Sequence, residues 1–181
     1  MKKINQIEPS LGNEEKKELI DVIDSGWFTE ADKTKEFEKR FAKFVGSRYA
    51  IAVTSGTSAL FLGLKSMGIA KNDEVLVPDM TFVASPNAVE LCGAKPVLID
   101  IESKSLNIDQ EKLKEKITKK TKAIMPVDFN GRSTDIFQLK EFAEKNNLLV
   151  IEDACHAIGS FYGTKHMGTV SNIGVFSFST P

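Results

Sequence analysis

The feature that most constrains the fold is a regular alternation of short apolar runs with longer segments of amphipathic pattern. The predicted strands are 49–53, 74–77, 96–101, 123–127, 148–151, 158–162 and 174–178. The helices predicted between the first five of them are 55–67, 85–91, 109–117 and 135–145. Repeated strand–helix–strand units require a mostly parallel sheet with helices on both faces. We therefore expect residues 1–181 to form a single α/β domain.

Two further helices are predicted before this alternation begins. Phe37, Phe41 and Phe44 recur at the i, i+4 and i+7 spacing of one helix face, in a segment that ends near Gly46. Residues 13–23 have a similar pattern with a glycine stop signal behind them. These helices lead into the α/β unit.

Composition excludes several classes of protein. Hydrophobic residues make up 41% of the chain and charged residues 27%, with a net charge of -1. This balance gives no general attraction to nucleic acid or to an anionic membrane. No apolar run approaches the ~20 residues of a membrane span, and no secretory signal pattern is present. The two cysteines, Cys92 and Cys155, have neither disulfide nor metal-site spacing, so we expect a cytoplasmic protein without a metal.

Ligands of such sheets bind at the carboxyl ends of the strands, and the first of these ends is rich in Ser, Gly and Thr. Ser55, Gly56, Thr57 and Ser58 open a predicted helix there. Free N–H groups and the positive end of the helix dipole favour a phosphate at this position, and Gly56 would allow the backbone to approach it. The alternative is that Ser55 is only a helix N-cap.

Two other strand ends carry aromatic or acidic side chains. Phe82 follows the strand 74–77, where its ring could cover a ligand ring or belong to the core. Glu152 and Asp153 end the strand 148–151, and His156 comes three residues after Asp153. A buried carboxylate requires a cationic partner, which a protonated ring nitrogen, a metal or a structural salt bridge would each supply. We expect Cys155 to be a buried spectator rather than a nucleophile.

The last strand end alternates a serine with two aromatic residues. Ser177 faces opposite to Phe176 and Phe178, so it should point to the ligand edge if the rings enter the core. The turn 128–132 is explained by ordinary loop chemistry, with Asn130 as a weak pocket-lining candidate and Arg132 as a surface residue.

The order of these motifs resembles that of the DegT/DnrJ/EryC1/StrS sugar aminotransferase family. The motifs are Gly26-Trp27-Phe28-Thr29, Ser55-Gly56-Thr57, Pro78 to Phe82, Glu152 to Ala157 and Phe176-Ser177-Phe178. The resemblance covers nearly the whole chain and implies the large domain of a fold-type I enzyme that uses pyridoxal 5′-phosphate (PLP). The chain departs from the family pattern in two segments. Residues 128–131 replace a more common run of the His-Leu-Tyr-Gly type, and residues 30–32 lack the glycine that is usual there.

The resemblance also implies roles for individual residues. Asp153 would pair with the pyridine nitrogen of PLP, Phe82 would stack on its ring, and His156 would lie near its phenolic oxygen and the substrate. The residues that would hold the phosphate are Gly56, Thr57, Ser58 and Ser177. The Schiff-base lysine is expected immediately after Pro181, and the small C-terminal domain is not in this chain.

The implied activity is transfer of an amino group, with glutamate as donor, to a nucleotide-linked keto-sugar of the 4-keto-6-deoxyhexose type. Family members are generally homodimers that share their active sites. The segment from Trp27 to Thr29 would either contribute to sugar recognition or only pack the junction between the two helices. Two alternatives are a PLP-dependent sugar dehydratase and a regulatory relative that binds ligand without turnover. A histidine in place of the lysine after Pro181 would favour the dehydratase.

Overall fold

A computed structural model of the chain describes residues 10–27, 29 and 32–179. Its strands are β1 Glu74–Pro78, β2 Lys95–Ile99, β3 Thr121–Ile124, β4 Leu149–Asp153, β5 Phe161–Tyr162, β6 Lys165–His166 and β7 Ile173–Val175. Its α-helices are α1 Asn13–Ser25, α2 Asp32–Val45, α3 Gly56–Ser66, α4 Ala84–Leu91, α5 Gln110–Lys116 and α6 Ile136–Lys145. The central sheet has the strand order β2-β1-β3-β4-β7 with every pair parallel, and β5 and β6 form a small antiparallel pair.

Helices cover both faces of the central sheet, as the alternating sequence pattern predicts. Val75 and Val77 of β1 point to one face, where they pack in a core with residues of α3 and α4. Leu76 points to the other face, where its core contains residues of α5 and α6. All three side chains are fully buried. This two-sided burial explains why the strands are nearly continuous apolar runs, and it confirms the predicted α/β class.

The aromatic face of α2 packs against the end of the chain. The ring of Phe41 lies 5.1 Å from that of Phe176 and 5.3 Å from that of Phe178, both edge to face. Phe37 also contacts the Phe178 ring, at 5.1 Å. The aromatic spacing that predicted this helix therefore serves to hold the segment after β7. Within the described residues, no helix is long and apolar enough to cross a membrane.

The strand predicted at 49–53 is wrong. This segment has no regular secondary structure, and Tyr49 and Ile51 are 71% and 81% exposed. The N–H of Ala52 donates to the carboxylate of Glu38 in the neighbouring helix at 2.8 Å. The segment carries the apolar residues of a strand, but no described strand pairs with it.

The last predicted strands are shorter than expected. Of 158–162 only Phe161–Tyr162 is a strand. In 174–178 the pairing ends at Val175, which pairs with Asp153, the last residue of β4. The serine between the two phenylalanines therefore lies just outside the sheet.

Candidate ligand-binding site at the carboxyl edge of the sheet

The site candidates gather at the carboxyl ends of β1, β4 and β7. The chain leaves β1 toward β2 on one side and returns on the other side to form β3, so the strand order reverses beside β1. Such a reversal opens a crevice at the carboxyl edge of a parallel sheet, which is where ligands of these folds bind. The residues described below all follow those strand ends or begin the helix next to them.

The first turn of α3 has the features of an anion seat. Ser55 is the N-cap, as the alternative interpretation expected, and its Oγ accepts the N–H of Ser58 at 3.1 Å. The Ser58 hydroxyl is also 3.1 Å from that of Thr54. Among the described residues, no hydrogen bond uses the N–H groups of Gly56 or Thr57. Capping and anion binding are therefore compatible here, because the cap takes one donor and leaves others.

The structure brings this turn against the end of the chain. A Cβ atom placed on Gly56 would lie 3.1 Å from the Cβ of Ser177 and 3.1 Å from the Sγ of Cys155. A side chain at this position would therefore crowd the contact between the start of α3 and the segments that follow β4 and β7. Ser177 faces Gly56 while the two neighbouring phenylalanines face α2, which is the alternation that the sequence indicated.

Asp153 is a buried carboxylate held by neutral donors. It is 5% exposed. Its Oδ2 accepts the hydroxyl of Ser85 at 2.7 Å, and its Oδ1 accepts the N–H of Cys155 at 3.3 Å. Within the part of the chain that the structure describes, no Lys, Arg or His forms an ion pair with Asp153. A buried charge without a counter-charge fits a ligand that brings a cation, such as a protonated pyridine nitrogen.

Two residues of this network are absent from the sequence-based site. Ser85 is fully buried in the first turn of α4, and its hydroxyl lies 2.7 Å from that of Thr81. Together Thr81 and Ser85 form a chain of hydroxyls that ends on Asp153. The available signal was the position of both residues after an apolar strand, but a serine there is indistinguishable from a cap until its partner is known.

Phe82 belongs to the same turn and is not a core residue. Its side chain is 68% exposed, and its carbonyl accepts the N–H of Ser85 at 3.1 Å. The bond fixes Phe82 beside the serine that reaches Asp153. An exposed ring at the carboxyl edge of the sheet is consistent with stacking on a flat ligand.

His156 and the turn 128–132 lie next to each other. His156 is exposed, and its ring is 6.0 Å from that of Phe129 at a 66° angle. A Cβ on Gly131, whose φ is 72°, would lie 3.1 Å from the carbonyl of His156, so the turn packs closely on this residue. Asn130 and Arg132 are exposed, in agreement with a surface role for Arg132.

The thiol of Cys155 is not activated as a nucleophile. Burial, and then the negative charge of Asp153, raise the pKa of its thiol well above its usual range. A neutral thiol is a poor nucleophile, since the thiolate is the reactive form. This agrees with the spectator role expected from the sequence.

A separate groove of about 750 Å³ lies between the loop before α5 and the start of α6. Two of its acidic side chains, Asp109 and Asp135, are occupied as helix N-caps. None of the predicted site residues lines it. It is therefore not the site described above.

Comparison with known proteins identifies relatives of the same architecture. The chain is 42% identical over 170 residues to the spore coat polysaccharide biosynthesis protein SpsC of Bacillus subtilis, covering 94% of this chain and 44% of SpsC. It is 42% identical over 177 residues to GDP-perosamine synthase of Caulobacter vibrioides, covering 97% and 48%. The chain thus spans about half the length of the curated relatives that it matches.

Solved structures give the same picture. The PLP-form of the putative sugar aminotransferase Spr1654 from Streptococcus pneumoniae matches with a TM-score of 0.89 at 32% identity, covering 94% of this chain and 47% of that one. GDP-4-keto-6-deoxymannose-3-dehydratase (ColD) matches with a TM-score of 0.85 at 31% identity, covering 92% and 45%. The model of the DegT/DnrJ/EryC1/StrS aminotransferase family matches residues 9–180. With its parallel sheet and a site at the carboxyl edge, this chain belongs to the DegT/DnrJ/EryC1/StrS aminotransferase family.

Proposed function

We propose that the protein is a PLP-dependent aminotransferase that transfers an amino group from glutamate to a nucleotide-linked keto-sugar of the 4-keto-6-deoxyhexose type. The observation that carries the proposal is Asp153, a buried carboxylate that receives only neutral hydrogen bonds within the described residues. A carboxylate in that state suits the protonated pyridine nitrogen of PLP. The family and the sugar-modifying relatives support the choice of reaction.

PLP, when bound, supplies an electron sink for breaking a bond at the carbon that carries the amino group. Asp153 would keep the ring nitrogen protonated, and Ser85 would hold the carboxylate in place. Phe82 would cover one face of the ring and exclude water from it. The phosphate would be bound by Gly56, Thr57, Ser58 and Ser177. The residue that moves the proton is expected to be a lysine directly after Pro181. Thr180 and Pro181 themselves lie outside the described residues.

The substrate is proposed from the relatives and from one exposed aromatic residue. GDP-perosamine synthase and SpsC are named for sugar and polysaccharide biosynthesis. Trp27 is 61% exposed at the C-terminal end of α1, and Thr29 follows two residues later; Phe28 is outside the described residues. We propose that this segment contributes to sugar binding, in a cytoplasmic homodimer whose active sites are shared between subunits. His156 would contact the substrate or the phenolic oxygen of PLP.

The test is a reaction of the complete protein with PLP, glutamate and a panel of nucleotide-linked keto-sugars. Formation of an amino sugar with an equal amount of 2-oxoglutarate is expected. A visible absorption band that borohydride removes should accompany PLP binding. Protein that remains colourless after PLP is added would contradict the proposal.

A second function is favoured by the structural match to the dehydratase ColD. A dehydratase would release water from the sugar without stable transfer of the amine. The same reaction mixture separates the two functions, because only the aminotransferase accumulates an amino sugar. A regulatory relative would bind PLP and sugar tightly and produce neither product.

A further inference from the structure

The carboxyl groups of Asp128 and Glu152 lie behind Asp153, on the opposite face of the sheet. Val127 pairs with Asp153 in parallel register. Side chains alternate along a strand, so the side chains of residues 128 and 152 both point away from the face that carries the Asp153 carboxylate. Asp128 directly follows this isolated bridge, beyond the end of β3, and its carboxyl group lies close enough to that of Glu152 for the two side chains to interact.

Both carboxyl groups are buried, but only one has hydrogen-bond donors. Glu152 is fully buried, and its oxygens accept the N–H of Gly168 at 2.6 Å and the hydroxyl of Ser171 at 3.1 Å. Asp128 is 1% exposed, and among the residues that the structure describes neither of its side-chain oxygens has a partner in hydrogen-bonding geometry. A buried carboxylate without a donor is very costly, whereas a neutral carboxyl group can itself donate to the neighbouring Glu152.

We propose that Asp128 and Glu152 share one proton, which the Asp128 hydroxyl donates to a Glu152 oxygen, and that this proton makes Asp128 a positioning residue for the site around Asp153 and Ser177. Burial and the adjacent charge of Glu152 raise the pKa of Asp128 to about 9, with a smaller contribution from Asp153. The backbone N–H of Thr134, which lies near Asp128 outside hydrogen-bonding geometry, lowers this pKa to a smaller extent. Among the described residues, no cation forms an ion pair with any of the three carboxyl groups.

Each partner of the shared proton is joined to a different part of the site. The N–H of Asp128 donates to the carbonyl of Asp153 at 3.0 Å, and the N–H of Asp153 donates to the carbonyl of Pro126 at 2.9 Å. Glu152 holds Gly168, and a Cβ on Gly168 would lie 2.3 Å from the ring of Phe176, the residue before Ser177. Loss of the shared proton would place two negative charges side by side. Their repulsion would push Asp128 and Glu152 apart, and with them the segments around Asp153 and Gly168.

The first test measures the proton without using the cofactor. Asp128→Asn keeps a donor to Glu152 but cannot ionise, and Asp24→Asn is a matched change at an exposed position of α1. We expect the melting temperature of the complete, cofactor-free Asp128→Asn protein to match the parent near pH 5 and to exceed it by several degrees near pH 9. The sign follows because Asp128 holds its proton more tightly in the folded than in the unfolded protein. The stabilisation is complete below the ordinary pKa of 3.8 and is lost progressively as pH rises to about 9, so most of the loss falls between pH 5 and pH 9.

Parallel melting curves for the parent and Asp128→Asn from pH 5 to pH 10 would overturn the shared proton. If Asp128→Asn does not fold, Glu152→Gln provides the same test from the other side, because its amide donates to an ionised Asp128. The stability of the Glu152→Gln protein should then lose the same alkaline dependence.

The second test measures positioning. Backbone amide hydrogen exchange in 150–160 and 166–178 should be faster in the parent than in Asp128→Asn at pH 10, and equal in the two proteins at pH 6. PLP affinity should fall at alkaline pH in the parent only; this consequence alone rests on the proposed function. Equal exchange at both pH values would refute the positioning role, even if the melting curves diverge. Absence of PLP binding in every variant would instead count against the proposed function, because neither melting nor exchange depends on it.

Discussion

The hydroxyl of Ser85 donates to the Oδ2 of Asp153 at 2.7 Å, across 68 positions of sequence and inside the protein. The serine begins a helix on one face of the sheet, and the aspartate ends a strand of that sheet. Within the described residues no cation forms an ion pair with Asp153, so neutral hydrogen bonds orient its carboxylate. The bond from Ser85 is shorter than the one from the N–H of Cys155. The relationship leads directly to the first prediction.

Replacement of Ser85 by alanine should weaken cofactor binding without unfolding the protein. A hydrogen bond to a charged group contributes about 1.5–3 kcal/mol, which corresponds to a loss of roughly 10–150-fold in PLP affinity. PLP titration followed by visible absorption measures the change. Ser66→Ala is the control, since its hydroxyl bonds only to the Gly63 carbonyl within α3. Unchanged affinity in Ser85→Ala would show that Asp153 does not depend on this contact.

Asp153→Asn should abolish most of the turnover while the fold is retained. The amide oxygen can still accept the bond from Ser85, so the geometry survives, but the charge that keeps the pyridine nitrogen protonated is lost. Breaking a buried ion pair costs about 3–5 kcal/mol, and a decrease of roughly 100-fold or more in kcat is expected. Circular dichroism and initial rates are measured beside Asp73→Asn, whose carboxylate only accepts the Ala70 N–H. Near-normal kcat would remove Asp153 from its assigned role.

Gly56→Ala should weaken phosphate binding by crowding the contact between the start of α3 and Ser177. The added Cβ would lie 3.1 Å from the Cβ of Ser177, which is tighter than nine in ten such contacts, so the start of α3 or Ser177 has to shift by a few tenths of an ångström. We expect a decrease in PLP affinity of at least about tenfold, equivalent to ~1.4 kcal/mol. Gly12→Ala is the matched control, because among the described residues its Cβ would meet a Glu15 oxygen at an ordinary 3.5 Å. Equal affinities in the two variants would place the phosphate elsewhere.

The arrangement of the sheet could be predicted from sequence because the central strands β1, β3 and β4 are buried on both faces over most of their length and are therefore largely apolar. Residues 49–53 show the limit of that logic, since they have the composition of a strand but remain exposed without a partner. Composition reports that a segment is able to pair, whereas pairing depends on a neighbour elsewhere in the chain.

The site could be predicted only in part, for a similar reason. Asp153 ends β4 and Ser177 lies two residues after β7, so the predicted strand order placed both near the ligand edge. The role of Ser85 depends on one bond to a distant residue. Asp128 lies in a turn whose polarity looked like ordinary loop chemistry, and only its burial beside Glu152 distinguishes it. Contacts of this kind leave no spacing pattern in the sequence.

Cys155→Ser should leave turnover within about twofold of the parent. The contact with Asp153 is made by the backbone N–H of residue 155, which the substitution preserves. Burial and the Asp153 charge raise the pKa of the thiol, so it stays protonated through neutral and mildly alkaline pH. Alkylation of the parent by iodoacetamide at this position should therefore remain slow up to about pH 9. Rapid alkylation at pH 7, or a large loss of turnover in the serine variant, would show that the thiol has a chemical role.

Trp27→Ala should affect the sugar and leave the cofactor alone. The indole is 61% exposed just after the end of α1 and is not among the residues assigned to PLP. If it contacts the nucleotide-linked sugar, its loss should raise KM for the sugar by about tenfold, corresponding to ~1.4 kcal/mol, with little change in PLP affinity. Leu11→Ala, also exposed beside α1, is the control for removal of an apolar surface group. A lower melting temperature with an unchanged KM would instead assign Trp27 to packing of the helix junction.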